Sequence, residues 1–250
     1  MRWFESLLGR LGITRISGHT FFPRLVPDKP VLLDLGSHRA AFTHGLVQSH
    51  GPIGRGICVE ANPGLVAELQ NSLPENCGVL HAAVVGDESL TSIELYISNN
   101  PEASSMFAQV ADSYGTQGRV RVACLTMAQL LDRLDRETID IVKMDIEGAE
   151  NEVLLKASPE VLLRITQLCV EFHDIFSPEM APVVKSVRSR LKSLGFAEVN
   201  ANWPYTDDIL FINPAKFARA GFRFRMRVGM ANFAYRFRGS VFRLLRRPAA

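Results

Sequence analysis

No apolar run in this 250-residue chain exceeds six residues, far short of the roughly 20 that cross a bilayer as a helix. The opening MRWFESLLGRLG has neither a sustained apolar stretch nor a small-residue cleavage site, which speaks against a secretory signal. Cysteine is scarce: Cys58, Cys77, Cys124 and Cys169 form no CxxC pair, and three lie inside apolar runs. That pattern argues against a zinc ribbon or a disulfide scaffold and for small buried hydrophobes in a reducing compartment. The expected location is the cytoplasm. Acid is missing altogether from residue 216 onward, where ten Lys/Arg stand, and residues 1–30 hold five bases against two acids. The net charge of +2 is therefore a cancellation, because residues 31–215 carry thirteen bases against twenty-four acids.

What is present is the make-up of an ordinary globular protein, 47% hydrophobic and 22% charged, with enough core to need no covalent staples. From about residue 30, short β-branched runs alternate with amphipathic stretches, the signature of an α/β fold with a mostly parallel sheet and helices on both faces. The expected strands are VLLDL (31–35), GICVE (56–60), GVLHAAV (78–84), SIELYI (92–97), VRVACL (120–125), IDIVKMD (139–145), TQLCVEFH (166–173), FAEVN (196–200) and DILFIN (208–213). Helices are expected over 40–50, 63–72, 126–135, 149–157 and 179–194, and a long loop over 98–118. Three units follow: an N-terminal amphipathic segment over 1–30, the α/β domain over 31–214, and a basic amphipathic tail over 215–250. In the tail, Phe222, Met226, Met230, Phe233, Phe237, Val241 and Leu244 step by three or four and form one apolar stripe.

Four motifs carry chemistry. VLLDLGSHRAAFT (31–43) is a strand ending in an acid, then a small-residue turn, then a helix, with Gly36 permitting close approach of a ligand. It is not a dinucleotide fingerprint, since His38 and Ala41 stand where GxGxxG needs glycine, and no Walker lysine follows. Asp34 would repel phosphate and suits a cationic ligand. About twenty-five residues on, CVEANP places Glu60 at a strand end, where a carboxylate accepts bonds from ribose hydroxyls. The plainer alternative for Glu60 is an acid ahead of a helix N-terminus.

IDIVKMDIEGAENEVL (139–154) is the densest signal. It delivers Lys143, Asp145 and Glu147 to one face of an extended stretch, and the desolvation cost of such a cluster argues against a purely structural role. CVEFHD (169–174) ends a fourth strand with Glu171, His173 and Asp174. His173 is a candidate general base, or one ligand of a divalent metal with Asp145 and Glu147.

In this order, DLGSHRAAFT, VEANP, HAAVVGD and KMDIEGAENEVL followed by VEFHD resemble the FkbM family of S-adenosylmethionine-dependent methyltransferases over about residues 31–213. The resemblance implies a Rossmann-like class I methyltransferase fold with a seven-stranded sheet. It also implies methyl transfer to a hydroxyl of a sugar, glycan or natural product. By position, Asp34 and Gly36 fall near the methionine part of the cofactor, and Ser37, His38, Ala61 and Asn62 complete the expected cofactor-binding set. Glu60 falls at the ribose, Ala83 and Val84 beside the adenine, and Asp145 at the sulfonium edge. Asp145, Glu147, His173 and Lys143 are the expected catalytic residues. The first turn departs from the family's DxGANxGxxT: His38 replaces Asn, Arg39 follows, and Ala40 takes the place of the second Gly, where a negative φ is expected to make it tolerable.

Two other readings compete. Aromatic residues interleaved with Arg in the tail suit an RNA methyltransferase, although the acidic body disfavours nucleic acid near the site. A non-catalytic adaptor on the same fold would dock a partner or membrane through its two ends. The expected partners are a glycan or small-molecule acceptor, with peripheral contact between the basic tail and anionic lipid at the inner face of the membrane.

Overall fold

The computed structural model describes residues 8–98, 115–174, 178–203 and 205–245. A seven-stranded sheet forms the centre. Its strands are β3 (Val31–Leu35), β4 (Arg55–Glu60), β5 (Cys77–His81), β9 (Ile139–Met144), β10 (Ile165–Val170), β11 (Ala197–Asn200) and β12 (Ile209–Ile212). They are ordered β11-β12-β10-β9-β3-β4-β5. The run from β10 through β5 is parallel, and β12 is antiparallel to both β10 and β11. From β3 the chain winds outward one way through β4 and β5, then returns to place β9 and β10 on the other side. The crevice beyond the carboxyl ends of β3 and β9 is therefore the topological switch point, where open α/β sheets bind ligands.

The remaining strands correct the expected layout. The SIELYI and VRVACL runs do not join the main sheet. β7 (Ser92–Ser98) and β8 (Thr116–Leu125) pair antiparallel, and β8 also pairs with the short β6 (Ala83–Val84). GVLHAAV is thus split between two sheets at Ala82, and the strand already begins at Thr116, inside the expected loop. The rest of that loop, residues 99–114, lies outside the described residues.

Strand alternation divides the core. Leu33, Leu35, Val142 and Met144 face one side, under α3 (Met127–Leu134), α4 (Glu150–Lys156) and α6 (Ala181–Ser193). Thr126 begins α3 with a full capping box to Gln129. Leu32, Ile141 and Cys169 face the other side, under α1 (Ala41–His50), the N-terminal segment and α8 (Gly221–Leu245). Side chains of a strand alternate with period two, so Asp34, Lys143 and Glu171 project on this second side.

The N-terminal segment is woven into that layer. β1 (Thr14–Ile16) and β2 (His19–Phe21) form a hairpin with Ile16 paired to His19. Ser17 and Gly18 both take positive φ, 45° and 86°, as a two-residue turn matched to strand twist requires. Buried bonds dock the hairpin on the sheet. Asp208 accepts from the Thr20 N–H at 3.0 Å and the Thr20 hydroxyl at 2.7 Å. Gln167 accepts from the Phe22 N–H at 2.8 Å and donates to the Phe22 carbonyl at 3.1 Å. Residues 8–11 are helical, with Leu8 and Leu11 buried; residues 1–7 of the expected amphipathic segment lie outside the described residues.

Candidate functional site

At the switch point, the carboxyl ends of β3, β4 and β9 and the hairpin tip line a cavity of about 360 Å³. The turn after β3 builds one wall. The Gly36 and Ser37 N–H groups both donate to the Val59 carbonyl, at 3.0 and 3.1 Å. Gly36 has φ 68°, and a Cβ there would lie 1.7 Å from the Asp145 carbonyl oxygen, so only glycine lets the two strand ends close. His38 and Ala40 also take positive φ, 49° and 56°. The expectation of a negative φ at Ala40 is thus corrected: alanine occupies the left-handed conformation that glycine adopts freely.

The second wall is Glu60, 9% exposed. One of its oxygens accepts from the His38 N–H at 2.9 Å and the other from the Asn62 N–H at 2.8 Å. Burial pushes its pKa up against those two bonds. Each oxygen accepts only one of these bonds, which leaves acceptor capacity on the cavity side. Ala61, Ala83, Val84, Ile93 and Leu95 make the wall beyond it apolar. Asn62 does not line the cavity; its side chain accepts from the Gly64 N–H and caps α2 (Pro63–Leu69).

At the opposite end is a charged cluster. Register pairs Asp34 with Lys143 across β3 and β9. The Lys143 ammonium donates to the Gly36 carbonyl at 2.6 Å and lies 3.7 Å from Asp34 and 3.4 Å from Asp145. Burial opposes charge on Lys143, but Asp145 and Asp34 more than offset it and hold its pKa above the ordinary value. Asp34 is fully buried behind the turn, accepts from the Thr43 hydroxyl at 2.7 Å, and does not line the cavity. Burial pushes its pKa up. Asp145 goes the other way: burial opposes its charge, yet Lys143 and then His173 hold it below the usual carboxylate range.

Glu147 arrives by a turn rather than along an extended strand. Its φ is 54°, and Gly148 follows at 103°. The buried Glu150 braces this turn, accepting from the Ile146 N–H at 2.7 Å and the Gly148 N–H at 3.0 Å. Burial pushes Glu147 up to about 8. His173 lies behind this turn and does not line the cavity; its ring nitrogens are 3.3 Å from Glu150, 3.5 Å from Glu147 and 3.6 Å from Asp145. Burial lowers its pKa, but the three carboxylates outweigh this and raise it to about 10, so it is an imidazolium that holds the carboxylates in place.

Glu171 and His19 complete the cluster, and both line the cavity. Burial, then the Asp145 charge, pushes Glu171 up to about 7. His19, on the hairpin, is 2% exposed with its Nε2 3.9 Å from both Asp145 and Glu171. Burial and then Lys143 lower it to about 3, which keeps it neutral. The motif reading did not find His19, because the hairpin lies in a segment read as an appendage. The signal was TRI-SG-HTF, two short β-prone runs around a Ser-Gly turn.

Two triads have metal-ligating chemistry and share Asp145: His19 with Asp145 and Glu171, and Asp145 with Glu147 and His173. A dication in either would face the Lys143 ammonium, 3.4 Å from the shared carboxylate, a repulsion on the order of 8 kcal/mol at 4 Å and an effective dielectric of 20. Lys143 and the protonated His173 already supply Asp145 with positive charge.

A family model described as the methyltransferase FkbM domain matches residues 34–197. No curated protein matches the sequence. Among solved structures, an FkbM methyltransferase from Methylobacillus flagellatus KT is similar at 14% identity and a TM-score of 0.46, over 74% of this chain and 44% of that one. This chain therefore spans less than half the length of that protein. The fibrillarin of Aeropyrum pernix, solved with natively bound S-adenosyl-L-methionine, is similar at 14% identity and a TM-score of 0.38, over 74% of this chain and 67% of that one.

Proposed function

The chain belongs to the FkbM methyltransferase family, and from that premise we propose that the cavity holds S-adenosylmethionine and that the methyl group passes to a hydroxyl oxygen of a sugar, glycan or natural-product acceptor. The observation that carries this reading is the cavity's polarity along its length. At one end Ala83 and Val84 are apolar, next to them Glu60 is pre-oriented by two backbone N–H groups, and at the other end Asp145 and Glu171 stand together. These residues fit the cofactor. Glu60 would take the ribose hydroxyls, the apolar wall the adenine, and the carboxylates the cationic sulfonium and amino groups. A volume of about 360 Å³ lies within the usual range for small-molecule sites.

When bound, S-adenosylmethionine supplies an electrophilic methyl on a positively charged sulfur. The chain's part is to orient the acceptor oxygen and remove its proton. Positioning contributes the larger share of the rate, and a well-placed base adds about 10²- to 10⁴-fold. Glu171 suits the base, because it lines the cavity and its pKa is pushed to about 7, near working pH. Asp145, held ionised by Lys143, stabilises positive charge beside it. His19 is neutral and faces both carboxylates, so it can orient the acceptor without repelling the cationic cofactor.

Isothermal titration with S-adenosylmethionine tests the first half, and mass spectrometry of glycans and lipid-linked sugars from cells with and without the protein tests the second. Binding together with a protein-dependent gain of one methylene in mass is expected. No binding at millimolar cofactor would overturn the reading; binding without any methylated hydroxyl product would overturn the acceptor assignment.

A further inference from the structure

The apolar stripe of α8 points away from the protein. Phe222, Met226, Met230, Phe233 and Phe237 are 50–72% exposed. The residues that dock the helix on the sheet are Phe224, Val228, Ala231 and Tyr235, all buried. Asn232 fastens that docked face, donating to the Glu198 carbonyl at 2.7 Å. At about 100° per residue the five exposed side chains fall within an arc of about 80°, and the docked residues lie on the opposite side. Phe233 and Phe237 stack with ring centroids 6.4 Å apart, so the stripe is continuous across a turn.

The charges around the stripe are equally ordered. On the same wheel Arg225 and Arg236 border one edge and Arg223 and Arg227 the other, and all four are exposed. No acid occurs from residue 216 to the end of the chain. Soluble proteins rarely leave so contiguous an apolar surface uncovered. An apolar stripe edged on both sides by Arg is the arrangement of a helix lying in a lipid interface, where aromatic and Met side chains insert and guanidinium groups reach the headgroups. A protein partner would need an acidic rim to match this surface, whereas an anionic bilayer presents uniform negative charge, worth about 1 kcal/mol for each Lys/Arg near it. None of the helices, among the described residues, is long and apolar enough to cross a membrane, so contact is along the surface.

We propose that α8 docks this chain on anionic lipid bilayers, with the Phe222–Phe237 stripe inserted and the flanking arginines on the headgroups. This places the methyltransferase cavity beside a membrane and favours acceptors carried on lipid. The docking does not depend on the reaction assigned to the cavity.

The test is flotation of the full chain with vesicles of phosphatidylcholine alone or mixed with phosphatidylglycerol. Binding to the mixed vesicles, weakened by salt, is expected. Phe233→Glu with Phe237→Glu should reduce it about tenfold or more, while Phe233→Leu with Phe237→Leu retains it. Both pairs change only exposed positions, so S-adenosylmethionine affinity and the melting temperature should match the parent. Three outcomes would overturn the proposal: equal binding to neutral vesicles, a Glu pair that floats like the parent, or a parent that binds no vesicle. In the last case, a dimer or an RNA complex that the Glu pair abolishes would assign the stripe to that partner instead.

Discussion

Replacing Lys143 by Met should destabilise the fold by about 3–5 kcal/mol, the usual cost of removing one partner from a buried ion pair. Lys143 lies 3.4 Å from Asp145 and 3.7 Å from Asp34, with both it and Asp34 almost wholly buried. At an effective dielectric of 20 each attraction is about 5 kcal/mol, and the cost of burying the ammonium offsets a large part of their sum. Methionine removes the cation and leaves Asp34 without a counter-charge. Burial already raises the pKa of Asp34, so in the variant it takes up a proton on folding. A folded-state pKa above the unfolded one confers stability that is lost as pH rises through the folded value. Urea denaturation of Lys143→Met should therefore show a deficit that widens as pH rises above the ordinary carboxylate range, and adding Asp34→Asn should recover most of it. A single variant as stable as the parent at every pH, or a double variant no better than the single one, would refute the assignment of Lys143 as the counter-charge that holds these strand ends together.

Glu60→Gln should weaken S-adenosylmethionine binding about tenfold to a hundredfold by calorimetry, since hydrogen bonds to a charged group contribute about 1.5–3 kcal/mol; unchanged affinity would remove Glu60 from the site. Glu171→Gln should lower turnover about 10²- to 10⁴-fold. In the parent, turnover should climb with pH through about 7, as Glu171 loses its proton, and a profile flat across that range would exclude it as the base. Gly36→Ala should abolish cofactor binding and lower the melting temperature, because its Cβ would fall 1.7 Å from the Asp145 carbonyl oxygen in a conformation that itself costs alanine about 1–2 kcal/mol. Chelation with EDTA should leave methyl transfer unchanged, since Lys143 and His173 serve Asp145 as cations; loss of activity restored by a divalent metal would show that one of the two triads is occupied.

The layout of the main sheet was legible because a strand buried on both faces reads as a short, mostly apolar run, as VLLDL, IDIVKM and ITQLCV do. SIELYI and VRVACL read the same way, and single-strand patterns carry no information on which sheet a strand joins. The site was legible wherever a charge ends such a run: Glu60, Lys143, Asp145 and Glu171 all lie on its walls. Asp34 ends a run too, but its neighbour across the register is Lys143 rather than a ligand, and pairing between strands more than a hundred residues apart is not visible locally. The same holds for His19. Its position depends on Asp208 and Gln167 gripping the hairpin from strands at the far end of the sequence.

The tail shows how periodicity alone can mislead about direction. Two sets of residues in α8 step by three or four, the bulky Phe222, Met226, Met230, Phe233 and Phe237 and the mixed Phe224, Val228, Ala231 and Tyr235. Apolar content favours the first set for the core. Close approach of backbones decides otherwise, because it needs small residues at the contact. Gly239 is buried against Trp203, whose carbonyl oxygen would lie 2.1 Å from an added Cβ. Ala231 is fully buried, and Asn232 reaches the edge backbone of β11. The docked face thus mixes Phe224, Val228 and Tyr235 with Ala231, Asn232 and Gly239, which lower its apparent hydrophobicity. A helix that docks through one face and leaves Phe222, Met226, Met230, Phe233 and Phe237 exposed on the other fits the proposed docking on a second apolar phase bordered by negative charge.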